Sequence, residues 1–322
     1  MNIIITGAAG FVGSNLAKTL LRQGHKVTGI DNLSYGSLSN ISSFANDKNF
    51  TFFEENLKDE RTLANVKGDC LVHLASQKIP RYTSALITLE ENSVMMKNVV
   101  KKCLQDKIKL VFASTSDIYG KNPDIPYSET SNILLGPTTV KRWAYAISKI
   151  YSEQYIIANN NEYNLEYTIM RFFGSYGPNQ NLTWWGGPQS VFIANALLNK
   201  PLEIHGEGLQ TRTFTYVEDT VQGVVKCILE EKAKNEIFNI ANNPEEEITI
   251  LGLGEMIWKL INGENSKPLI NFIPYSTFGN YEDVKRRVPD ITKIKSLLDY
   301  RPRFSLAEGM VKTIEWQKNL SN

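Results

Sequence analysis

Short, almost wholly apolar runs recur along the first half of the chain, at residues 3–6, 26–30, 50–53, 70–74 and 110–113, with longer helix-compatible stretches between them. Runs of this kind fit strands buried on both faces, and their alternation with helical patterns predicts a parallel sheet covered by helices on both sides. Two further runs, 166–172 and 237–240, extend that sheet. Segments rich in Gly, Pro and aromatic residues, 177–189 and 268–287, read as irregular and substrate-facing. The expected class is α/β. A Rossmann doubly wound parallel sheet occupies 1–171, residues 216–241 return to it, and 172–215 with 242–322 form a smaller C-terminal substrate-binding lobe.

The first run breaks into Gly7-Ala8-Ala9-Gly10-Phe11-Val12-Gly13, and Asp31 closes the second. A strand that turns sharply into a helix without intervening Cβ atoms presents backbone N–H groups and a helix N-terminus to a pyrophosphate. Asp31 then accepts from the adenosine ribose hydroxyls and repels a 2′-phosphate. With no Arg or Lys between Lys26 and Lys48, the cofactor expected is NAD and not NADP. The glycines fall three apart, unlike the commoner G-x-G-x-x-G spacing.

Composition narrows the class without naming a reaction. The 322 residues are 42% hydrophobic and carry a net charge of +1. A chain of that size can bury a full core and has no excess charge for nucleic acid. Cys70, Cys103 and Cys227 are odd in number and scattered, as are His25, His73 and His205, so neither a disulfide framework nor a protein-bound metal site is expected. Residues 172–199 lack charged side chains, but their glycines, prolines and amides could not be satisfied in hydrocarbon. Without a signal-like N-terminus or a membrane span, the reading is a cytoplasmic enzyme.

Tyr145 and Lys149 lie i, i+4 on a predicted helix, which puts phenol and ammonium on one face. A cation beside a phenol favours the phenolate, a usable general base. Thr115, Ser116 and Asp117 follow the strand at 110–113, at the edge where ligands gather on a parallel sheet. Thr115 is placed to hydrogen-bond the substrate hydroxyl that Tyr145 deprotonates.

With these motifs, the chain resembles extended short-chain dehydrogenases/reductases of the NAD-dependent epimerase/dehydratase family, which act on nucleoside-diphosphate sugars. The resemblance runs through Gly7 to Gly13, Asp31-Asn32-Leu33, His73-Leu74-Ala75, Ser114 to Gly120, Tyr145 to Lys149, Arg171-Phe172-Phe173, Tyr176-Gly177-Pro178 and the 206–219 segment. It implies Tyr145 as base, Lys149 as its partner and a ligand of the nicotinamide ribose, and Thr115 as the shared hydroxyl. It also implies that Asn32, Asn56, Leu57, Leu74, Ala75 and Lys78 line the cofactor, and that Arg212 and Arg287 grip the diphosphate. Guanidinium groups suit phosphate oxygens through their divergent, coplanar N–H groups. Two positions depart from the family pattern. Gly174 stands where an Asn commonly contacts the diphosphate, leaving that contact to backbone or Ser175, and Asn56 replaces a common Asp near the adenine.

The family shares oxidation at C4 and differs in the fate of the 4-keto sugar. Dehydratases carry Asp-Glu where this chain has Ser116 and Asp117, which disfavours dehydration. UDP-glucuronate decarboxylases carry Ser-Glu there and resemble the chain at Lys141-Arg142-Trp143-Ala144-Tyr145 and around Arg287. Here Asp117 is one methylene shorter. The reading is therefore C4 oxidation of a UDP-, GDP-, CDP- or dTDP-sugar, with 4-epimerisation placed ahead of decarboxylation and of release of the 4-keto sugar. A non-catalytic NAD sensor is disfavoured because Tyr145 and Lys149 are both intact, and a non-nucleotide substrate because Arg212 and Arg287 are present. The apolar face at 89–104, with the helix carrying Tyr145, resembles the family's dimer-forming pair, so a homodimer is expected.

Overall fold

The structure is a computed structural model describing residues 1–78, 84–279 and 281–320. Asn280 of the 268–287 segment and residues 321–322 of the C-terminal lobe lie outside the described residues. In chain order the elements are β1 (Asn2–Thr6), α1 (Phe11–Arg22), β2 (Lys26–Asp31), β3 (Phe50–Glu54), β4 (Cys70–His73), α2 (Ala85–Asp106), β5 (Lys109–Thr115), α3 (Trp143–Tyr163) and β6 (Tyr167–Phe172). They continue with β7 (Ser175–Tyr176), α4 (Pro188–Leu197), β8 (Leu202–His205), β9 (Thr211–Thr213), β10 (Thr215–Tyr216), α5 (Val217–Leu229) and β11 (Glu236–Ile240). The rest of the described chain holds β12 (Glu247–Thr249), α6 (Ile250–Asn262), β13 (Ile270–Ile273), α7 (Thr292–Leu298) and α8 (Leu306–Leu320).

A seven-stranded parallel sheet runs in the order β11-β6-β5-β4-β1-β2-β3. The order reverses beside β1, which opens a crevice at the strand C-termini. Successive side chains of each strand serve opposite faces. Ile4, Leu71, Leu110 and Ile169 pack with Met96, Val99 and Val100 of α2 and Ile156 of α3. Ile3, Ile5, Val72, Val111 and Met170 pack with Leu16 and Leu20 of α1 and Val221 and Val224 of α5. Burial of both faces at the centre of the sheet explains the apolar runs of β1, β4 and β5.

Three two-stranded sheets flank this core: β10 with β7, β12 with β9, and β13 with β8. The β13 strand lies inside the 268–287 segment read as irregular. Its Asn271 and Phe272 are exposed, so no burial pattern marks it, and its parallel pairing with β8 supplies the order instead.

Buried polar groups fasten the sheet beneath the crevice. Arg171 Nη2 on β6 donates to Glu153 Oε2 on α3 at 2.7 Å, and its Nη1 donates to the Glu129 carbonyl at 2.7 Å and to Tyr119 Oη at 3.0 Å. Ser114 Oγ donates to the same carboxylate. Thr6 Oγ1 and His73 Nδ1 are 2.8 Å apart, and burial pushes the imidazole down to about 3, so His73 is a neutral sheet-bonding group.

Candidate active site

A cleft of about 780 Å³ opens at the C-terminal ends of the large sheet, within the range of small-molecule sites. Every residue singled out from the sequence as catalytic, cofactor-binding or substrate-binding lines it.

At one end, β1 turns into α1 through Gly7, whose φ is +73° and where a Cβ would stand 2.8 Å from the Ala75 nitrogen. A Cβ on Gly13 would collide with the Gly7 carbonyl, so the three-apart glycines let α1 begin directly against the turn. Among the described residues no side chain caps α1, and its first turn holds no acid. The N–H groups of Phe11 and Val12 and the positive end of the helix dipole therefore remain for an anion. Asp31 accepts from Ala9 N at 3.0 Å and Leu33 N at 2.8 Å, bonds that hold it at the rim of this turn. Burial raises its pKa while those backbone bonds oppose the shift. Asn32 and Asn56 use their side-chain oxygens to close local turns, accepting from Ser34 N at 3.1 Å and Lys58 N at 3.0 Å. Leu57, Leu74 and Ala75 give the apolar wall, and Lys78 is exposed at the rim. The anion cradle, the acid at the next strand end and the apolar wall fit NAD.

In the middle of the cleft, Thr115 ends β5 and accepts from Asp117 N at 3.2 Å, starting the short turn that presents Ser116 and Asp117. Tyr145 and Lys149 face this turn from α3. The Lys149 ammonium does not sit on the phenol oxygen. Its Nζ donates to the Ala113 carbonyl at 2.8 Å and lies 4.7 Å from the Phe112 ring centre, against 5.8 Å for Tyr145. Burial, aided by Asp117, raises the Tyr145 pKa, while hydrogen bonds from Thr115 and Ser76 and the charge of Arg287 oppose the rise. Helical spacing led to the opposite direction for the protein alone.

Burial pushes Lys149 down to about 7, against the pull of Glu153. The unfolded chain holds this proton to about 10.4. Between these values the unfolded state binds more protons, so this group makes stability rise with pH there, and below the lower value its destabilisation is complete. Lys149→Met is therefore expected to raise the thermal midpoint relative to the parent more near about pH 6 than near about pH 10. A pH-independent difference in calorimetric scans would contradict the assignment.

At the other end, charges from distant segments converge. Asp117 Oδ1 receives Arg287 Nη2 at 2.7 Å and Arg142 Nη2 at 3.0 Å, and Arg287 Nη1 is 3.4 Å from Ser116 Oγ. Asp283 Oδ1 receives Arg212 Nη2 at 2.8 Å and Arg142 Nη1 at 3.1 Å. Burial opposes ionisation of Asp117, but Arg287, Arg142 and Arg212 hold its pKa below the usual carboxylate value. Arg212 also donates to the carbonyls of Thr211 at 2.7 Å and Val284 at 2.8 Å. Gly174 is exposed at the cleft, and Ser175 Oγ lies 2.9 Å from Thr220 Oγ1. Sequence reading passed over Asp283 and the charge of Arg142 as site groups. The one available signal was the position of Arg142, one residue before α3 and three before Tyr145.

A family model described as the NAD dependent epimerase/dehydratase family matches residues 3–241. The chain belongs to the NAD-dependent epimerase/dehydratase family. It is 32% identical, over 99% of its length and 98% of the relative's, to a UDP-N-acetyl-alpha-D-glucosaminuronate decarboxylase of Bacillus cytotoxicus. It is 32% identical over 98% of its length to UDP-glucuronic acid decarboxylase 1 of Danio rerio, of which it covers 72%. The crystal structure of UDP-glucuronic acid 4-epimerase from Bacillus cereus, in complex with UDP-glucuronic acid and NAD, superposes with a TM-score of 0.87. That match has 27% identity and covers 99% of this chain and 100% of the other. This epimerase/dehydratase-family member is an NAD-dependent enzyme of the nucleotide-sugar decarboxylase, epimerase and dehydratase class. Among the described residues, no helix is long and apolar enough to cross a membrane.

Proposed function

We propose that the enzyme oxidises a nucleoside-diphosphate hexuronate at C4 and decarboxylates the 4-keto acid. In this reading residues 1–171 with 216–241 hold NAD, and 172–215 with 242–322 hold the sugar nucleotide. NAD, when bound, accepts the C4 hydride and later returns it. Tyr145 takes the C4 hydroxyl proton, Thr115 holds that oxygen, and Lys149 fixes the cofactor ribose. A C4 ketone makes the C6 carboxylate a β-keto acid. The C5–C6 bond breaks, carbon dioxide leaves, and the electron pair passes to the C4 oxygen, where the Tyr145 and Thr115 hydroxyls stabilise it until C5 is protonated.

The observation that carries this choice is the place of Arg287. It lies against Ser116 and Asp117, close enough to Tyr145 for its charge to act on the phenol, which supports a role at the sugar rather than at the diphosphate. A guanidinium there holds a C6 carboxylate. The same grip resists the rotation of the ketone that 4-epimerisation needs, so decarboxylation moves ahead of the order read from the sequence. The decarboxylase names of both relatives support this order and a UDP substrate.

Incubation with UDP-, GDP-, CDP- and dTDP-hexuronates and the matching neutral sugars, followed by mass spectrometry, tests the reading. A UDP-pentose from a UDP-hexuronate is the expected product. Turnover of neutral sugars alone would exclude the reading.

The enzyme further acts as a homodimer joined through α2 and α3: Met95, Met96, Val99, Val100 and Cys103 of the 89–104 face pack into the intramolecular core, so the contact falls to exposed Leu89 and Val94 of α2 with Ile147 and Tyr151 of α3. Cytoplasmic location accords with this substrate class. Sedimentation should give twice the chain mass at micromolar concentration, and a monomer throughout would rule the dimer out.

A further inference from the structure

We propose that Arg142 is a positioning residue that sets the preference for an acidic sugar, by holding Asp117 and Asp283 away from the substrate carboxylate. The inference rests on the hexuronate reading above. Asp117 and Asp283 both line the sugar end of the cleft, and either would repel a second carboxylate. Arg142 bridges them, with Nη2 on Asp117 Oδ1 at 3.0 Å and Nη1 on Asp283 Oδ1 at 3.1 Å. It is itself held in place: Nη1 also donates to the Glu282 carbonyl at 2.9 Å, and the guanidinium lies 4.8 Å from the Trp143 ring centre and 5.5 Å from that of Tyr281.

The charge count then decides what the cleft accepts. Within the ion-paired cluster, Arg142, Arg212 and Arg287 stand against Asp117 and Asp283, leaving one positive charge to which the charge of Lys78 adds near Asp117. Because Arg142 shares the same Asp117 oxygen as Arg287, Arg287 is only half neutralised and can turn to an incoming carboxylate. Without Arg142 the ion-paired cluster is neutral and, among the described residues, only Arg287 pairs with Asp117. A neutral hexose gains nothing from the extra charge, so the residue acts on the choice between acid and neutral sugar and not on binding as such.

The test uses the NAD-loaded enzyme in a Tyr145→Phe background, which binds the acid without consuming it and serves as the parent here, with calorimetric titration of UDP-glucuronate and UDP-glucose. The parent should bind the acid more tightly. Arg142→Gln should cut the acid-to-neutral affinity ratio about tenfold to hundredfold, the range for losing a hydrogen-bonded charge, through weaker binding of the acid alone. Arg142→Lys, whose single ammonium serves one aspartate, should lower the ratio less. Arg142→Gln/Asp117→Asn, which removes the uncovered carboxylate, should restore it. A parent with no preference for the acid would overturn the hexuronate reading and this inference with it. A parent that prefers the acid, with Arg142→Gln keeping that ratio or weakening both ligands equally, would overturn the role of Arg142 alone.

Discussion

Tyr145→Phe is expected to lower turnover by about a hundredfold to ten-thousandfold, the range lost with a positioned acid–base group. This amounts to about 3–5 kcal/mol of barrier. Only the phenol oxygen is removed, and the ring stays beside Thr115 and Ser76. Affinities for NAD and the sugar nucleotide should therefore change little. The raised Tyr145 pKa sharpens the expectation, since burial keeps the phenol protonated in the protein alone, and a cation bound beside it would favour the base form. Full turnover by the variant, measured as product per unit time, would remove Tyr145 from the chemistry.

Arg171→Met is expected to destabilise the fold by about 3–5 kcal/mol, because it strips the partner from a buried carboxylate. Glu153 is 4% exposed and, among the described residues, would keep only Ser114 as a side-chain donor, while the Glu129 carbonyl and Tyr119 hydroxyl would each lose a donated bond. The pair joins β6 to α3, the helix carrying Tyr145 and Lys149, so activity should fall at temperatures well below the parent's midpoint. Chemical denaturation of both proteins gives the difference directly. A loss under about 1 kcal/mol would mean the site is open enough for water to replace Arg171. Arg171→Met/Glu153→Met should recover much of the loss, as replacing both charges leaves no orphan.

The parts of the fold that the sequence made legible are those fixed by near neighbours. Buried strands declare themselves as apolar runs, Gly7 and Gly13 mark a turn no side chain could share, and Thr115 falls at a strand end because it closely follows the apolar run 110–113 of β5. The i, i+4 spacing also placed Tyr145 and Lys149 on one face of α3, but spacing could not say where a flexible ammonium ends. Lys149 went to the Ala113 carbonyl, which belongs to β5 and is set by the packing of helix on sheet.

The charge cluster was hidden for the same reason. Arg142 reaches Asp117 and Asp283, and Arg287 reaches Asp117, only after β5, α3 and the segment following β13 have been brought to one cleft. The resemblance implies a diphosphate role for Arg287, and nothing in the sequence singles out Asp283. The strand β13 escaped notice because its order comes from pairing with β8, not from any alternation of its own.

Loss of the C6 carboxylate from a hexuronate, after oxidation at C4, is the step on which the proposed activity stands. Its most direct test is nuclear magnetic resonance of the enzyme with NAD and UDP-glucuronate isotopically labelled at C6. The label is expected in carbon dioxide and bicarbonate while an unlabelled UDP-pentose accumulates. A label that stays in a hexuronate inverted at C4 would contradict decarboxylation.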